Sequence, residues 1–316
     1  MQWVDRVGRR LKLRDLHILL AVVQHGSMAK AAGELAISQP AVSKAISDVE
    51  HALGLRLLDR GRNGIEPTIY GRALVARGRA IFDELKRGVD ELAFLADPTV
   101  GELRIASTES IAAGFLPAVI ENFSREQPHV RLYVAQAVMN AQHYRDLRER
   151  SIDLLLGRIP TPFDEGDLDV ETAYDDPVVV VAGRHSKWAR SRRLTLAELA
   201  EERWVLPPAD TIAGILAAEW FRAGSLKMPR AFVTTLSIHL CCRLASTGQY
   251  VTTLPMSVLR GAHHDRLLRV LPIKLPVQLR PVGIVTLKNR TLSPVAKRFI
   301  ECVHHTAKQQ IRRSKH

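Results

Sequence analysis

Ser38-Gln39-Pro40-Ala41-Val42-Ser43-Lys44, continued to Leu53, decides the fold of the N-terminal part of this chain. Val42, Ile46, Val49 and Leu53 fall at i, i+4, i+7 and i+11. At 100° per residue they cluster within about 60°, one face of a helix. The roughly opposite side carries Pro40, Ser43, Lys44 and Ser47, with Gln39 at the exposed N-terminal end. Ser38 is a good N-cap, and Pro40 is tolerated in the first turn because its missing N–H would be unpaired anyway. Upstream, Leu13, Leu16, Leu19, Leu20 and Val23 recur at helical spacing. Gly26 stops that helix, and Ser27 caps a short second one rich in small residues (Ala29, Ala31, Ala32, Gly33). Ala36-Ile37 makes the turn. This order of elements is a helix-turn-helix.

Such a motif presents side chains at one end of one helix to the edges of DNA bases. Glutamine pairs bidentately with adenine, serine donates to or accepts from several bases, and lysine suits guanine or phosphate. Downstream, Leu55–Thr68 holds two strand-like pieces around Gly61-Arg62-Asn63-Gly64, a wing whose Arg60 and Arg62 reach toward phosphate or the minor groove. From Thr68 to about Leu95 a long helix is expected. Leu74, Gly78, Ile81, Leu85, Gly88, Leu92 and Leu95 alternate by four and three, a heptad-like seam best buried against a second copy of the chain.

Bulk properties narrow the class. The 316 residues are enough for two or three domains, with 46% hydrophobic and 25% charged residues, an ordinary globular composition. Net charge is +12, but residues 1–97 hold 15 Lys/Arg against 12 Asp/Glu, and residues 98–316 hold 30 against 21. The excess is not concentrated at the helix-turn-helix, so charge alone says little about partners. Cys241, Cys242 and Cys302 form neither a disulfide framework nor a CxxC metal spacing. No apolar run reaches the roughly 20 residues of a membrane span, and the N-terminus has no signal-peptide pattern. A cytoplasmic protein without metal or cofactor is expected.

Leu13 to Ile81 resembles the N-terminal domain of the LysR-type transcriptional regulators. The resemblance is carried by the Ala-rich second helix, Ser-Gln-Pro-Ala-Val-Ser, Leu-Gly-Leu-Arg-Leu-Leu-Asp-Arg entering the wing, and Pro-Thr-Ile-Tyr-Gly opening the long helix. Weaker similarity continues beyond, toward the galactose-binding-protein-regulator branch. The resemblance implies DNA contacts at Gln39, Pro40, Ser43 and Lys44, with Arg60 in the wing. Lys44 stands where arginine is commoner and lacks its planar fork. The implied partners are double-stranded promoter DNA, a second copy as homodimer or homotetramer, and RNA polymerase.

Beyond the hinge Asp97-Pro98-Thr99-Val100-Gly101, strands are expected at Leu103–Ala106, Val130–Ala137, Ile152–Gly157, Val178–Ala182, Leu268–Leu271 and Val282–Leu287. Extended segments are expected at Trp204–Leu206 and Tyr250–Leu254. Helices are expected at Ile111–Glu126, His143–Arg150, Leu194–Ala200, Ile212–Gly224, Leu236–Ser246 and Ser293 to about Ile311. The resemblance implies two Rossmann-like α/β subdomains of periplasmic-binding-protein type. The expected organisation is a DNA-binding domain at 1–67, a linker helix at 68–97 and an effector domain at 98–316. Subdomain I takes about 101–173 and 273–316, and subdomain II about 174–272.

The cleft between the subdomains would bind a small effector, beyond strand ends and near helix N-termini. Ser107, Thr108 and Ser110 stand at one strand-to-helix junction, Asp210 and Thr211 at another, and Thr235 and Ser237 open the helix containing Cys241. Arg158 ends the third strand and faces the presumed cleft, unless it is paired structurally with an acid such as Asp153. The hydroxyls, helix N-termini and Arg158 favour an anionic effector; Asp210 opposes it. Two other classes fit less well. The chain has no G-x-S-x-G, P-loop or GxGxxG in a suitable context, and its adjacent His pairs lack the spacing of a helical metal site, which argues against an enzyme. An architectural DNA-binding protein without an effector would not need about 200 residues of α/β structure.

Overall fold

A computed structural model of the chain describes residues 11–61, 64–97, 100–261, 267–275 and 281–313. The chain divides into two compact units, Met1–Val89 and Asp90–His316.

The first unit starts with three helices, α1 (Leu13–His25), α2 (Met28–Glu34) and α3 (Gln39–Leu53). Leu16, Leu19 and Val22 of α1, Ala31 of α2, and Val42, Ile46 and Val49 of α3 share one core. Each large apolar side chain buried there contributes about 1.5–3 kcal/mol. The face of α1 differs from the sequence expectation: Ile18 and Ala21 are buried, whereas Leu13 is about half exposed. Nearly every residue from Leu16 to Val23 is apolar or aromatic, so periodicity alone could not orient that helix. Gly26 and Gly54 end α1 and α3 in the left-handed conformation.

The wing is the antiparallel hairpin β1 (Leu58–Gly61) and β2 (Gly64–Pro67), with Arg60 opposite Ile65. It is pinned at two places. Ile65 donates its N–H to the Gly26 carbonyl at 3.0 Å. Glu50 of α3 accepts from Leu57 N and Leu58 N at 2.7 and 3.2 Å.

The long helix α4 (Ile69–Ala96) is capped by Thr68, whose hydroxyl accepts from Gly71 N and donates to the Arg56 carbonyl. At Gly71 a Cβ would lie 2.0 Å from the Leu57 carbonyl oxygen, so the helix leaves the wing only through a glycine.

One stripe of α4 serves two ends. Leu74, Val75 and Phe82 pack on the three-helix core. Gly78 lies against Leu16, whose Cδ1 would be 3.0 Å from an added Cβ. Farther along, Ile81, Leu85, Val89 and Leu92 are 44%, 53%, 59% and 68% exposed. The expected seam is therefore divided: its first turns are spent within the chain, and from Ile81 to Leu92 its large apolar side chains are exposed, while the Leu95 side chain lies outside the described residues.

The second unit contains two five-stranded mixed sheets. The first is built from β3 (Val100–Thr108), β4 (His129–Ala137), β5 (Leu154–Arg158), β6 (Leu168–Tyr174) and β12 (Val282–Leu287), in the order β4-β3-β5-β12-β6. β3 runs parallel to β4 and β5; β12 lies antiparallel between β5 and β6. The second is built from β7 (Val178–Gly183), β8 (Trp204–Leu206), β9 (Ala231–Thr234), β10 (Val251–Pro255) and β11 (Leu268–Val270), in the order β11-β7-β10-β8-β9. The chain crosses to the second sheet between Tyr174 and Val178 and returns between Val270 and Val282.

The helices of this unit are α5 (Glu109–Gly114), α6 (Leu116–Glu126), α7 (Ala141–Arg148), α8 (Ile212–Ala223), α9 (Ile238–Ser246), α10 (Met256–Gly261) and α11 (Pro294–Arg313). Phe123 of α6 meets Phe299 of α11 edge-on, ring centroids 5.2 Å apart. Trp204 and Phe221 make the same kind of pair in the second sheet's core at 5.5 Å.

Three differences from the sequence reading have local causes. The single helix expected over Ile111–Glu126 is two, broken at Phe115, where Pro117 starts a new first turn and lacks the N–H a continuing helix would need. The helix expected at Leu194–Ala200 is only a 3-10 turn, Ala197–Leu199. β6 and β9 escape the sequence reading; both are sheet-edge strands, β6 carrying Asp169, Glu171 and Thr172 at exposed positions and β9 being only four residues long.

Candidate nucleic-acid and effector interfaces

On α3 the side chains named from sequence form one outward face. Gln39, Pro40, Lys44 and Ser47 are exposed and Ser43 is half-buried, while Val42, Ala45, Ile46 and Val49 point into the core. The helix starts squarely: the Ser38 hydroxyl accepts from Ala41 N at 3.3 Å. The α2–α3 turn passes through Ala36 at φ 52°, and Ile37 N returns to the Ala32 carbonyl at 3.0 Å. Glu50, which sequence reading misses, fixes the distance between this face and the wing. Its only sequence signal is an acid on the polar flank of an otherwise well-assigned helix. The Arg60 backbone lies in β1; its side chain, and Arg62 as a whole, lie outside the described residues.

In the second unit a cavity of about 120 Å³ opens between the two sheets. Thr108, Ser110, Arg158, Thr211 and Thr235 line it. Ser107, Asp210 and Ser237 do not. Ser107 lies beneath the junction, fully buried, its hydroxyl donating to the Thr108 carbonyl. Asp210 is exposed. Ser237 is spent as the N-cap of α9, accepting from Leu240 N. Strand-to-helix junctions put hydroxyls near the cavity, but whether one faces it depends on the pleat and on capping, which the sequence run does not separate.

Much of the remaining wall is apolar, with Met139, Ile212, Leu216, Trp220 and Ile238 among its members. An engineered apolar cavity of about 150 Å³ accepts benzene, so this one suits a body the size of a single six-membered ring.

Arg158 has a different partner from the one the sequence suggests. Asp153 stands before β5 and Arg158 at its end, about 16 Å apart along five strand residues. Asp153 instead takes Arg290 at 2.9 Å and the Arg104 N–H at 3.0 Å. Arg158, 8% exposed, donates to the Asp176 carbonyl at 2.7 Å and lies 3.9 Å from its carboxylate. Burial lowers the Arg158 pKa below its ordinary value, with the Asp176 charge opposing. Asp176 also accepts from Ser257 N at 3.1 Å and from the Ser257 hydroxyl at 2.7 Å. This buried network sits on the segment that crosses between the sheets.

The three thiols are buried, and burial pushes each pKa up, that of Cys242 to about 11. Such thiols stay protonated and unreactive near neutral pH. Among the described residues no cluster of His, Cys, Asp or Glu is arranged to hold a metal, and no helix is long and apolar enough to cross a membrane.

Comparisons with known proteins match this plan from end to end. A family model described as the bacterial regulatory helix-turn-helix protein, lysR family, matches residues 13–72, and one described as the LysR substrate binding domain matches residues 96–308. The chain is 27% identical over 306 residues to the HTH-type transcriptional regulator GbpR of Azospirillum brasilense, spanning 96% of this chain and 89% of that protein. A single-substitution variant of full-length OxyR from Pseudomonas aeruginosa has the same fold, with TM-score 0.68 at 20% identity, over 94% of this chain and 95% of that one. So does full-length CbnR in complex with its target DNA, with TM-score 0.62 at 23% identity, over 94% and 100%. With a winged helix-turn-helix ahead of a long helix, a two-sheet domain holding a cavity, and family models covering both parts, the chain belongs to the LysR family of transcriptional regulators, with a DNA-binding and an effector-binding domain.

Proposed function

We propose that this regulator acts in the cytoplasm as a homodimer or dimer of dimers joined through α4, reading an imperfect inverted repeat with two α3 helices. Gln39, Pro40, Ser43, Lys44 and Ser47 meet base edges and phosphates, and Arg60 and Arg62 of the wing reach the backbone or minor groove. A small molecule fills the cavity between the sheets, touching Thr108, Ser110, Thr211 and Thr235. It binds one arrangement of the effector domain better than another, changes the spacing of the DNA-binding pairs, and so alters DNA bending and RNA polymerase recruitment. A ligand shifts such an equilibrium only through its differential affinity for the two states.

The observation that carries this reading is the cavity itself, lined from both sheets and at both of the first two hydroxyl-bearing junctions. It favours an effector-controlled regulator over an architectural protein. The anionic effector expected from sequence loses its main support, because the Arg158 charge is held by Asp176.

Two measurements test the division of labour. Ser43→Ala should change the ranking of operator variants by about 1–3 kcal/mol at one base pair while leaving the salt slope of binding unchanged. Arg60→Ala should weaken all duplexes alike and lower that slope by about 1. Equal effects of both on every duplex would contradict the assignment.

The cavity is tested by filling it. Ala213 lines its mouth and is exposed, so Trp there adds bulk without entering the core. A metabolite that raises the melting temperature of the wild type should lose that effect in Ala213→Trp. An unchanged shift would move the effector site elsewhere.

A further inference from the structure

We propose that the cavity selects a small organic ammonium ion with an apolar body, and that Glu109 is the residue that decides this. The inference rests on the reading of the cavity as the effector site.

Glu109 and Arg158 are the carboxylate and the guanidinium of the lining. Their situations are opposite. Arg158 is buried and faces its own counter-charge on Asp176. Glu109 has no ion-pair partner among the described residues. Its Oε1 accepts from Ile238 N, the first residue of α9, at 2.8 Å, and its Oε2 has only a long 3.5 Å contact with Gln136 Nε2. A carboxylate offers about four acceptor positions, so Glu109 keeps room for a donor from the cavity. The uncompensated charge of the lining is therefore negative.

The bond to Ile238 N has a second effect. An N-terminal helix end attracts anions, and the α9 end is already taken by the protein's own carboxylate. A carboxylate ligand would meet an occupied donor and a like charge at short range. An ammonium ion would meet the second Glu109 oxygen, which has only that long contact. The remaining apolar wall and the volume of about 120 Å³ limit the body to about one ring.

Glu109 also joins the two sheets: it opens α5 after β3 of the first, and Ile238 opens α9 beside the second. A ligand that engages Glu109 acts on a group already bridging the cleft, so its binding is coupled to the relative position of the sheets.

Full-length protein is titrated calorimetrically with three probes of equal body: cyclohexylamine, cyclohexanol and cyclohexanecarboxylate. The wild type should bind the amine at least tenfold more tightly than the carboxylate, with the alcohol between. Glu109→Gln keeps a carbonyl oxygen for Ile238 N but removes the charge. It should lose tenfold or more for the amine and reverse or erase the order. Ala213→Trp should abolish binding of all three.

Binding that Ala213→Trp abolishes but that favours the carboxylate or the alcohol overturns the charge assignment alone. So does an order that Glu109→Gln leaves unchanged. Binding of none of the probes, or binding that survives Ala213→Trp, overturns the effector-site reading and the assignment with it. The wild-type order decides the matter even if a Glu109 variant fails to fold.

Discussion

Asp176→Ala should destabilise the effector domain by about 3–5 kcal/mol, read as a lower midpoint in chemical denaturation of the full-length protein. The cost is not that of a lost surface ion pair. Asp176 is 3% exposed and Arg158 is 8% exposed, so removing the carboxylate takes away a counter-charge that water cannot replace. It also leaves the Ser257 N–H and hydroxyl without their acceptor. Removing both charges is gentler, because a buried pair replaced by apolar groups is often neutral. The double variant Arg158→Met, Asp176→Ala should therefore recover a large part of the loss. If the single change costs less than about 1 kcal/mol, the network contributes little and the crossing segment is held by packing alone.

Replacing Leu85 and Leu92 together by Glu should turn the protein into a monomer by light scattering. It should also weaken operator binding by about 10²–10⁴, the advantage of tethering a second reading head. These side chains are exposed in the single chain, so the change leaves its own core intact. The melting transition of the first unit should hardly move. The same substitution at Val75, which is 7% exposed, should unfold that unit instead. A Leu85/Leu92 variant that remains dimeric with wild-type affinity would place the association surface elsewhere.

The contrast between Val75 and Leu92 marks how far the sequence can be read. The heptad spacing along α4 identifies the stripe, because a 3.6-residue period needs only one chain. It cannot say which turns are covered by the three-helix core and which are open, because that depends on where the wing delivers the start of the helix. The glycine at 78 is legible as a close-contact position, but its partner, Leu16, is not.

On α3 the outward face follows from Val42, Ile46 and Val49 alone. In the effector domain the apolar β-branched run at 178–182 is plain, and the charged edge strand at 168–174 is not. The hydroxyls of Thr108 and Ser110 stand out as residue types suited to a junction. Glu109 between them does not, since a carboxylate at a helix start reads as an ordinary capping charge until Ile238, more than a hundred residues away, is brought against it. Arg158 is legible as a cavity residue, but the acid that holds it is not, for the same reason: partners across a crossing are set by the fold.

The position of β12 has a consequence for how the protein is made. Residues 282–287 supply the strand between β5 and β6, so β6 has no neighbour in its sheet until they arrive. A ribosome adding about 5–20 residues per second reaches them on the order of ten seconds after Tyr174 has been synthesised. During that interval a nascent chain carries an unfinished sheet with open backbone on both β5 and β6, a ready substrate for wrong strand pairing. Chains that terminate before Val282 would keep the helix-turn-helix while carrying that defect permanently, and aggregation of such fragments is the expected fate.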